Sequence, residues 1–225
     1  MVVALQALGY PVKRYQARSL MREAGVWVRY RRRYRVTTNS DHRQPVFANR
    51  LERDFSARGP NQVWAGDITY IQTHQGWLYL AVVIDLYSRK VVGWSMGKRI
   101  TSSLVCDALR MALWRRRPPK GQLIHHSDQG VQYASRAFRR LLEAHGIEGS
   151  MSRKGDCWDN AVVESLFGSL KSERVYWRSY QTREEARADI VQYIAMFYNS
   201  HRLHSYLGYQ SPDQFEKTGH MAKVA

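Results

Sequence analysis

The sequence predicts an α/β fold: a mixed five-stranded sheet flanked by helices, with a small N-terminal helical piece. Two observations predict it. Three short apolar stretches, at 63–73, 77–86 and 90–96, are separated only by turn signals at Gln75-Gly76 and Ser88-Arg89. That spacing makes an antiparallel meander. Beyond them, helix-period and strand-period segments alternate, so the order runs β-β-β-α-β-α-β-α-α. A meander followed by that alternation gives a mixed sheet with helices on its faces.

Residues 1–26 read as helical. Leu5 and Leu8 precede a Gly9-Tyr10-Pro11 turn, and Ala17, Leu20, Met21 and Ala24 form an i, i+3, i+4, i+7 stripe. Gly25 can close the second helix in the left-handed conformation. A short turn and a basic second helix suggest a partial helix-turn-helix, with a plain helical arm as the alternative. Residues 27–60 read as a basic linker. Arg29, Arg31, Arg32, Arg33 and Arg35 interleave with Tyr30 and Tyr34. Such a tract can follow phosphates and stack on bases. The stretch 37–54 is polar and aperiodic, as in a solvated tether.

The core is expected at 61–178, with a C-terminal helical extension at 179–225. In it, 102–117 is a helix with Leu104, Ala108, Met111 and Ala112 inward. A strand at 122–126 delivers Asp128 at its C-terminal end. A helix at 135–145 and a strand at 147–151 follow. The helix at 156–173 has two unlike faces: Val163, Leu166, Phe167 and Leu170 make the apolar stripe, while Asn160, Glu164, Gly168 and Lys171 share another. Thr182 caps a last helix at 182–199, with Ile190, Ile194 and Phe197 inward.

Composition limits the function. The chain has 225 residues with 35 Lys and Arg against 19 Asp and Glu, a net charge of +16. That excess calls for a polyanionic partner, most often nucleic acid. The longest apolar run, 77–84, is too short to span a bilayer, and no secretory signal opens the chain. Two cysteines, Cys106 and Cys157, make no disulfide framework, which fits a reduced, cytoplasmic setting.

Three carboxylates stand out. Asp67 falls mid-strand beside Gly66, where an ionised group is disfavoured. Asp128 lies just past a strand, where open α/β sheets place their sites. Glu164 follows Asp128 after 35 intervening residues, on a helix face without apolar side chains. If the three converge, their repulsion needs neutralising by metal. Oxygen-only ligands select hard ions, Mg²⁺ or Mn²⁺, and two of them can activate a hydroxyl and stabilise a phosphodiester's leaving oxygen. Lys171, on the Glu164 face, would meet phosphate, and Gly168 would let a DNA backbone approach. The alternatives are a capped strand end at Asp128 and an exposed helix carboxylate at Glu164. Asp85 reads as a turn-former bonding the Ser88 or Arg89 backbone, Asp156 and Asp159 as caps, and Asp107 as a helix-surface residue. His125 and His126, adjacent on a strand, point to opposite faces. His201 and His204 lack a third zinc ligand and read as a packed turn. Neither a Gly-rich phosphate loop nor a nucleophile elbow is present.

The blocks WAGDITYI, YLAVVIDLYSRKVVGW, HHSDQGVQYAS, SMSRKGDCWDNAVVESLFGSLKSE and YNSHRLHSYLGYQSPDQF together resemble the second-frame catalytic subunit of bacterial transposases of the insertion-sequence-three group, relatives of retroviral integrases. The resemblance covers residues 60–215. It implies a ribonuclease-H-like fold and an Asp-Asp-Glu polynucleotidyl transferase. Asp67, Asp128 and Glu164 are then the catalytic residues and ligands of two metal ions, Lys171 contacts the element's end, and Asn160 assists. Water frees a 3′-hydroxyl at the element's end, and that hydroxyl attacks a second phosphodiester. The implied partners are transposon ends and target DNA, further copies of the chain on DNA, and a first-frame subunit carrying the end-recognising helix-turn-helix. Gly66 departs from the larger polar residue frequent in the family. A hydrolysis-only nuclease of the same fold and a truncated, non-catalytic DNA-binding regulator are the alternatives.

Overall fold

A computed structural model describes residues 1–27, 44–51, 57–153 and 161–224, in two compact units, Met1–Tyr34 and Arg35–Ala225. The first unit contains α1 (Val2–Ala7) and α2 (Arg14–Glu23), joined through Gly9 at φ +86°. Gly25 adopts the left-handed conformation expected of it, at φ +64°. The expected apolar stripe of α2 is not buried as such: Ala17 is buried, whereas Leu20 is 48% exposed.

The second unit is built on a five-stranded sheet in the order β3-β2-β1-β4-β5. The strands are β1 (Val63–Thr73), β2 (Gly76–Asp85), β3 (Val91–Gly97), β4 (Ile124–Ser127) and β5 (Glu148–Met151). β1, β2 and β3 form the antiparallel meander, while β4 runs parallel to β1 and β5 parallel to β4. Both faces are covered. On one, α3 (Ser102–Arg116) and α4 (Arg136–Ala144) bury Leu104, Leu109, Phe138 and Leu142 against Trp64, Ala81 and Val83. On the other, α5 (Ala161–Glu173) and α6 (Arg183–Gln192) bury Val163, Leu166, Phe167, Leu170 and Ile190 against Ala65, Ile71, Leu80 and Val82. Each such side chain contributes about 1.5–3 kcal/mol relative to exposure. Side-chain caps set the starts of α3, α4 and α6. Thr101 accepts from the Leu104 amide, Ser135 from Phe138 and Thr182 from Glu185.

Several expectations are corrected. The helix expected at 182–199 changes after Gln192 into a π-helical turn, Tyr193–Tyr198, which leaves Phe197 44% exposed while Tyr193, Ile194 and Tyr198 stay buried. Residues 44–51 are not a solvated tether. Leu51 is buried in the α5–α6 core cluster, the Arg50 amide donates to Ser150 Oγ at 2.9 Å, and Arg50 pairs with Glu148 at 2.9 Å. Asp85 accepts from the Tyr87 and Asn61 amides at 3.0 and 2.8 Å, not from Ser88 or Arg89. A further helix, α7 (Pro212–Val224), anchors through Glu216, which bonds Arg116 at 2.8 and 2.9 Å and Ser88 at 2.8 Å. Asp107 is exposed on the helix surface, as expected, where it pairs with Arg110.

Two positions test the packing. A Cβ on Gly93 would run into the Ala108 carbonyl oxygen and lie 2.8 Å from the Ala112 amide, so β3 and α3 touch through glycine. Gly93→Ala should cost about 1–3 kcal/mol or more, read as a lower denaturant midpoint. His125 lies in the α3–α4 layer against Tyr133 and Phe138, and its Nε2 is buried without a hydrogen-bond partner among the described residues. Burial, with His126 beside it, lowers its pKa from 6.5 to about 3. Between those two values the unfolded chain binds this proton and the folded chain does not. The contribution is therefore fully present above pH 6.5 and is lost as pH falls towards 3. Denaturant melts of His125→Phe at pH 7 and pH 5 should show a smaller acid loss than wild type; an equal loss would place the proton uptake elsewhere.

Candidate active site

β4 pairs with β1 at three positions, ending with Ala65 opposite His126. Continuing that register by two residues sets Asp67 beside Asp128. Strand alternation puts Asp67 on the Ala65 face, under α5, and Gly66 on the opposite face. The arrangement follows from the short strand: β4 ends at Ser127, so the β1 edge beyond Ala65 is left open by it at the position where both carboxylates emerge. Asp128 accepts from the Gly130 amide at 3.0 Å, which turns the chain away from the sheet. Glu164 stands in the first turn of the described part of α5, half-buried, on the flank of the helix beside its apolar stripe.

Electrostatics ties these groups together. Asp67 is 8% exposed, and its carboxyl is held well above the usual carboxylate range. Burial is the main cause, then the charge of Asp128. The Ile68 amide, donating at 2.7 Å, opposes the shift, Glu164 adds to it, and Lys171 opposes it. Asp128, past the β4 end, and Glu164, on α5, thus both act on Asp67. The three are not a closed cage: among the described residues, no three carboxylates or imidazoles stand close enough to grip one ion.

Lys171 is half-buried in the last turn of α5, with its ammonium 4.5 Å from the centre of the Tyr70 ring. Burial lowers its pKa, and Asp67 opposes that. Tyr70 was not singled out from the sequence, although it follows Asp67 by three residues on β1. Nor was Tyr133. Its hydroxyl is raised well above its ordinary pKa by burial and then by Asp67 and Asp128. The available signal was its place in HHSDQGVQY, five residues after Asp128. Gly66 explains the crowding. A Cβ there would meet the His125 ring at 3.0 Å and the Tyr133 hydroxyl at 3.3 Å, so glycine lets both close in behind Asp67.

Asn160, Asp156, Asp159, Arg29, Arg31, Arg32, Arg33 and Arg35 lie outside the described residues. His204 opens a turn closed by the His204–Gln210 bridge, whereas His201 lies outside it, exposed, with its amide donating back to the Phe197 carbonyl. Among the described residues, no helix is long and apolar enough to cross a membrane.

Residues 57–157 and 164–219 each match a family model described as an integrase core domain. The chain is 49% identical over 212 residues to the transposase InsF for insertion sequence IS3A of Escherichia coli (strain K12), covering 94% of this chain and 73% of that protein. It is 45% identical over 212 residues to the IS600 uncharacterized 31 kDa protein of Shigella sonnei, covering 94% and 78%. In structure it is similar to the HTLV-2 integrase catalytic core domain in complex with magnesium (dimeric form), with a TM-score of 0.54 and 20% identity over 72% of this chain and 99% of that one. At that identity the likeness establishes the fold, ribonuclease-H-like, as the order and direction of the five strands already indicate. With nearly the whole length matched at close to half identity, the chain belongs to the transposases of the IS3 group, built on an integrase core.

Proposed function

We propose that this transposase cuts and joins DNA at the ends of an insertion sequence through Asp67, Asp128 and Glu164, acting as ligands of two divalent ions. The observation that carries the reading is a buried Asp67 on which two further carboxylates, Asp128 and Glu164 from other elements, act as like charges. A buried acid with two acidic neighbours is unfavourable unless cations neutralise it. The set fits hard ions: its donors are all carboxylate oxygens, which suit Mg²⁺ or Mn²⁺ and offer zinc no nitrogen or sulfur. When bound, such ions activate the attacking oxygen and stabilise the leaving oxygen of a phosphodiester.

The chain's own residues do the rest. Asp67 and Asp128 hold the site on the rigid sheet, and Glu164 closes it from α5. The Tyr70 ring seats the Lys171 ammonium, from which it meets a phosphate of the element's end. Gly168, between Glu164 and Lys171 on the same stripe, lets the sugar-phosphate backbone come close. In the first step one P–O bond to water forms as one in the DNA breaks, freeing a 3′-hydroxyl. In the second, that hydroxyl attacks another phosphodiester, again one P–O bond for one, with no covalent enzyme intermediate. The net charge of +16 supports DNA as the partner. Asn160 and the arginine tract extend the DNA contact. A first-frame subunit supplies end recognition, and copies of the chain assemble on DNA in the bacterial cytoplasm.

With an element-end oligonucleotide, a supercoiled plasmid and Mg²⁺ or Mn²⁺, wild type should give joined product. Glu164→Gln should reduce it by at least about a hundredfold while retaining DNA binding. Parallel loss of binding and joining would make Glu164 a folding residue instead. Lys171→Ala should lower the salt slope of element-end binding by about one; an unchanged slope would mean that its ammonium meets no phosphate.

A further inference from the structure

The proposed chemistry leaves unused the segment after the π-helical turn, YNSHRLHSYLGYQ. It is anchored at both ends. Asn199 clips onto β3, its Oδ1 accepting from the Val91 amide at 2.9 Å and its Nδ2 donating to the Val91 carbonyl at 3.0 Å. The His204 amide donates to the Gln210 carbonyl at 3.1 Å, and the Asp213 amide to the Asn199 carbonyl at 2.9 Å. Between these anchors Arg202 reaches across to α5. Its Nε donates to both Glu173 oxygens at 3.0 and 3.1 Å, and its Nη2 donates to Glu173 Oε1 at 2.8 Å and to Ser169 Oγ at 3.0 Å. Glu173 Oε2 also accepts from the buried Tyr193 hydroxyl at 2.7 Å.

Helix geometry gives this contact a direction. At about 100° per residue, Gly168 and Lys171 fall within roughly 40° of Glu164 around the axis. Ser169 and Glu173 fall about 140° and 180° away, and the apolar stripe of Val163, Leu166, Phe167 and Leu170 lies between, on the sheet side. Arg202 therefore grips one flank of α5 while Glu164 and Lys171 occupy the other. Apolar burial is non-directional and leaves a helix free to roll by small angles. A planar guanidinium on a carboxylate, with a second donor to Ser169, does not. A roll of about 20° would move a carboxylate about 6 Å from the axis by about 2 Å.

We infer that Arg202 is a positioning residue for strand transfer: its fork on Glu173 and Ser169 fixes the roll of α5 and so aims Glu164 and Lys171 at the site. This rests on the reading of those two residues given above. Arg202 and Glu173 keep only 23% and 34% of their side chains exposed, so the bidentate fork adds modestly to stability, and its distinctive effect is in geometry.

The test compares wild type, Glu164→Gln, Arg202→Gln, Glu173→Gln and the Arg202→Gln/Glu173→Gln double variant, measuring strand-transfer rate, element-end binding and thermal unfolding. Each clamp variant should lose about ten- to a hundredfold in transfer rate, with melting near wild type and end binding weakened no more than in Lys171→Ala. The double should lose no more than the worse single, because the two residues act as one unit. Full transfer rate in either single overturns the inference. So does loss of rate, binding and melting temperature together, or a double variant that loses the product of the two. Should Arg202→Gln fail to fold, Glu173→Gln alone decides by the same criteria. Joined product from wild type and none from Glu164→Gln is the baseline the site reading needs. Its absence overturns both ideas, whereas an intact baseline with fully active clamp variants overturns the clamp alone.

Discussion

The parallel pairing of β4 with β1 ends after three residues, and the site depends on that ending. Had β4 run on beside β1, the Asp67 and Asp128 backbones would be locked in a ladder, and a strand would cover the edge beside them. Instead the pairing is just long enough to fix the register of the two aspartates. It then releases Asp128 into a turn held by its own bond to the Gly130 amide. The long meander does the complementary work. β1 is paired with β2 along its full length, so Asp67 sits on a strand that cannot shift without breaking the sheet.

Burying a carboxylate beside two others works against folding, and the fold offsets that cost elsewhere. Two cores on opposite faces clamp β1, one through Trp64 and one through Ala65 and Ile71. The charged hub around Arg116 follows a different rule. Arg116 satisfies Glu216 and Asp85 there, and Glu216 stays below its ordinary pKa because Arg116 and Lys90 outweigh its burial. A carboxylate is thus held charged by protein cations at Glu216, whereas the pKa of Asp67, like that of Asp85, is raised by burial despite the cation near it.

What could be read from the sequence was local. Strand and helix periods located the meander and the alternating half, and a mid-strand aspartate with a polar helix stripe singled out the acids that the fold brings within electrostatic reach. The chain order could not say which side chains meet across long separations. Phe47, Arg50 and Leu51 look like tether residues because their partners, Gly149, Ser150 and the α5–α6 core, lie far along the chain or on other elements. Phe197 sits on the helical stripe by count, but the extra residue per turn of a π-helix moves it outward. Tyr70 and Tyr133 read as ordinary core aromatics until β1, α5 and the Asp128 turn are assembled around them.

The contact of residues 44–51 with β5 bears on how the protein survives before it meets DNA. β5 is the last strand on its side of the sheet, and such edges invite pairing with other chains. Phe47 presses against Gly149 and Arg50 binds Ser150 and Glu148, residues that alternate between the two faces, so this arm wraps the edge. A shortened chain that begins at residue 57, where the family match starts, would keep every carboxylate of the site. It would also bare a strand edge to its neighbours, and its weakness would be aggregation rather than lost chemistry.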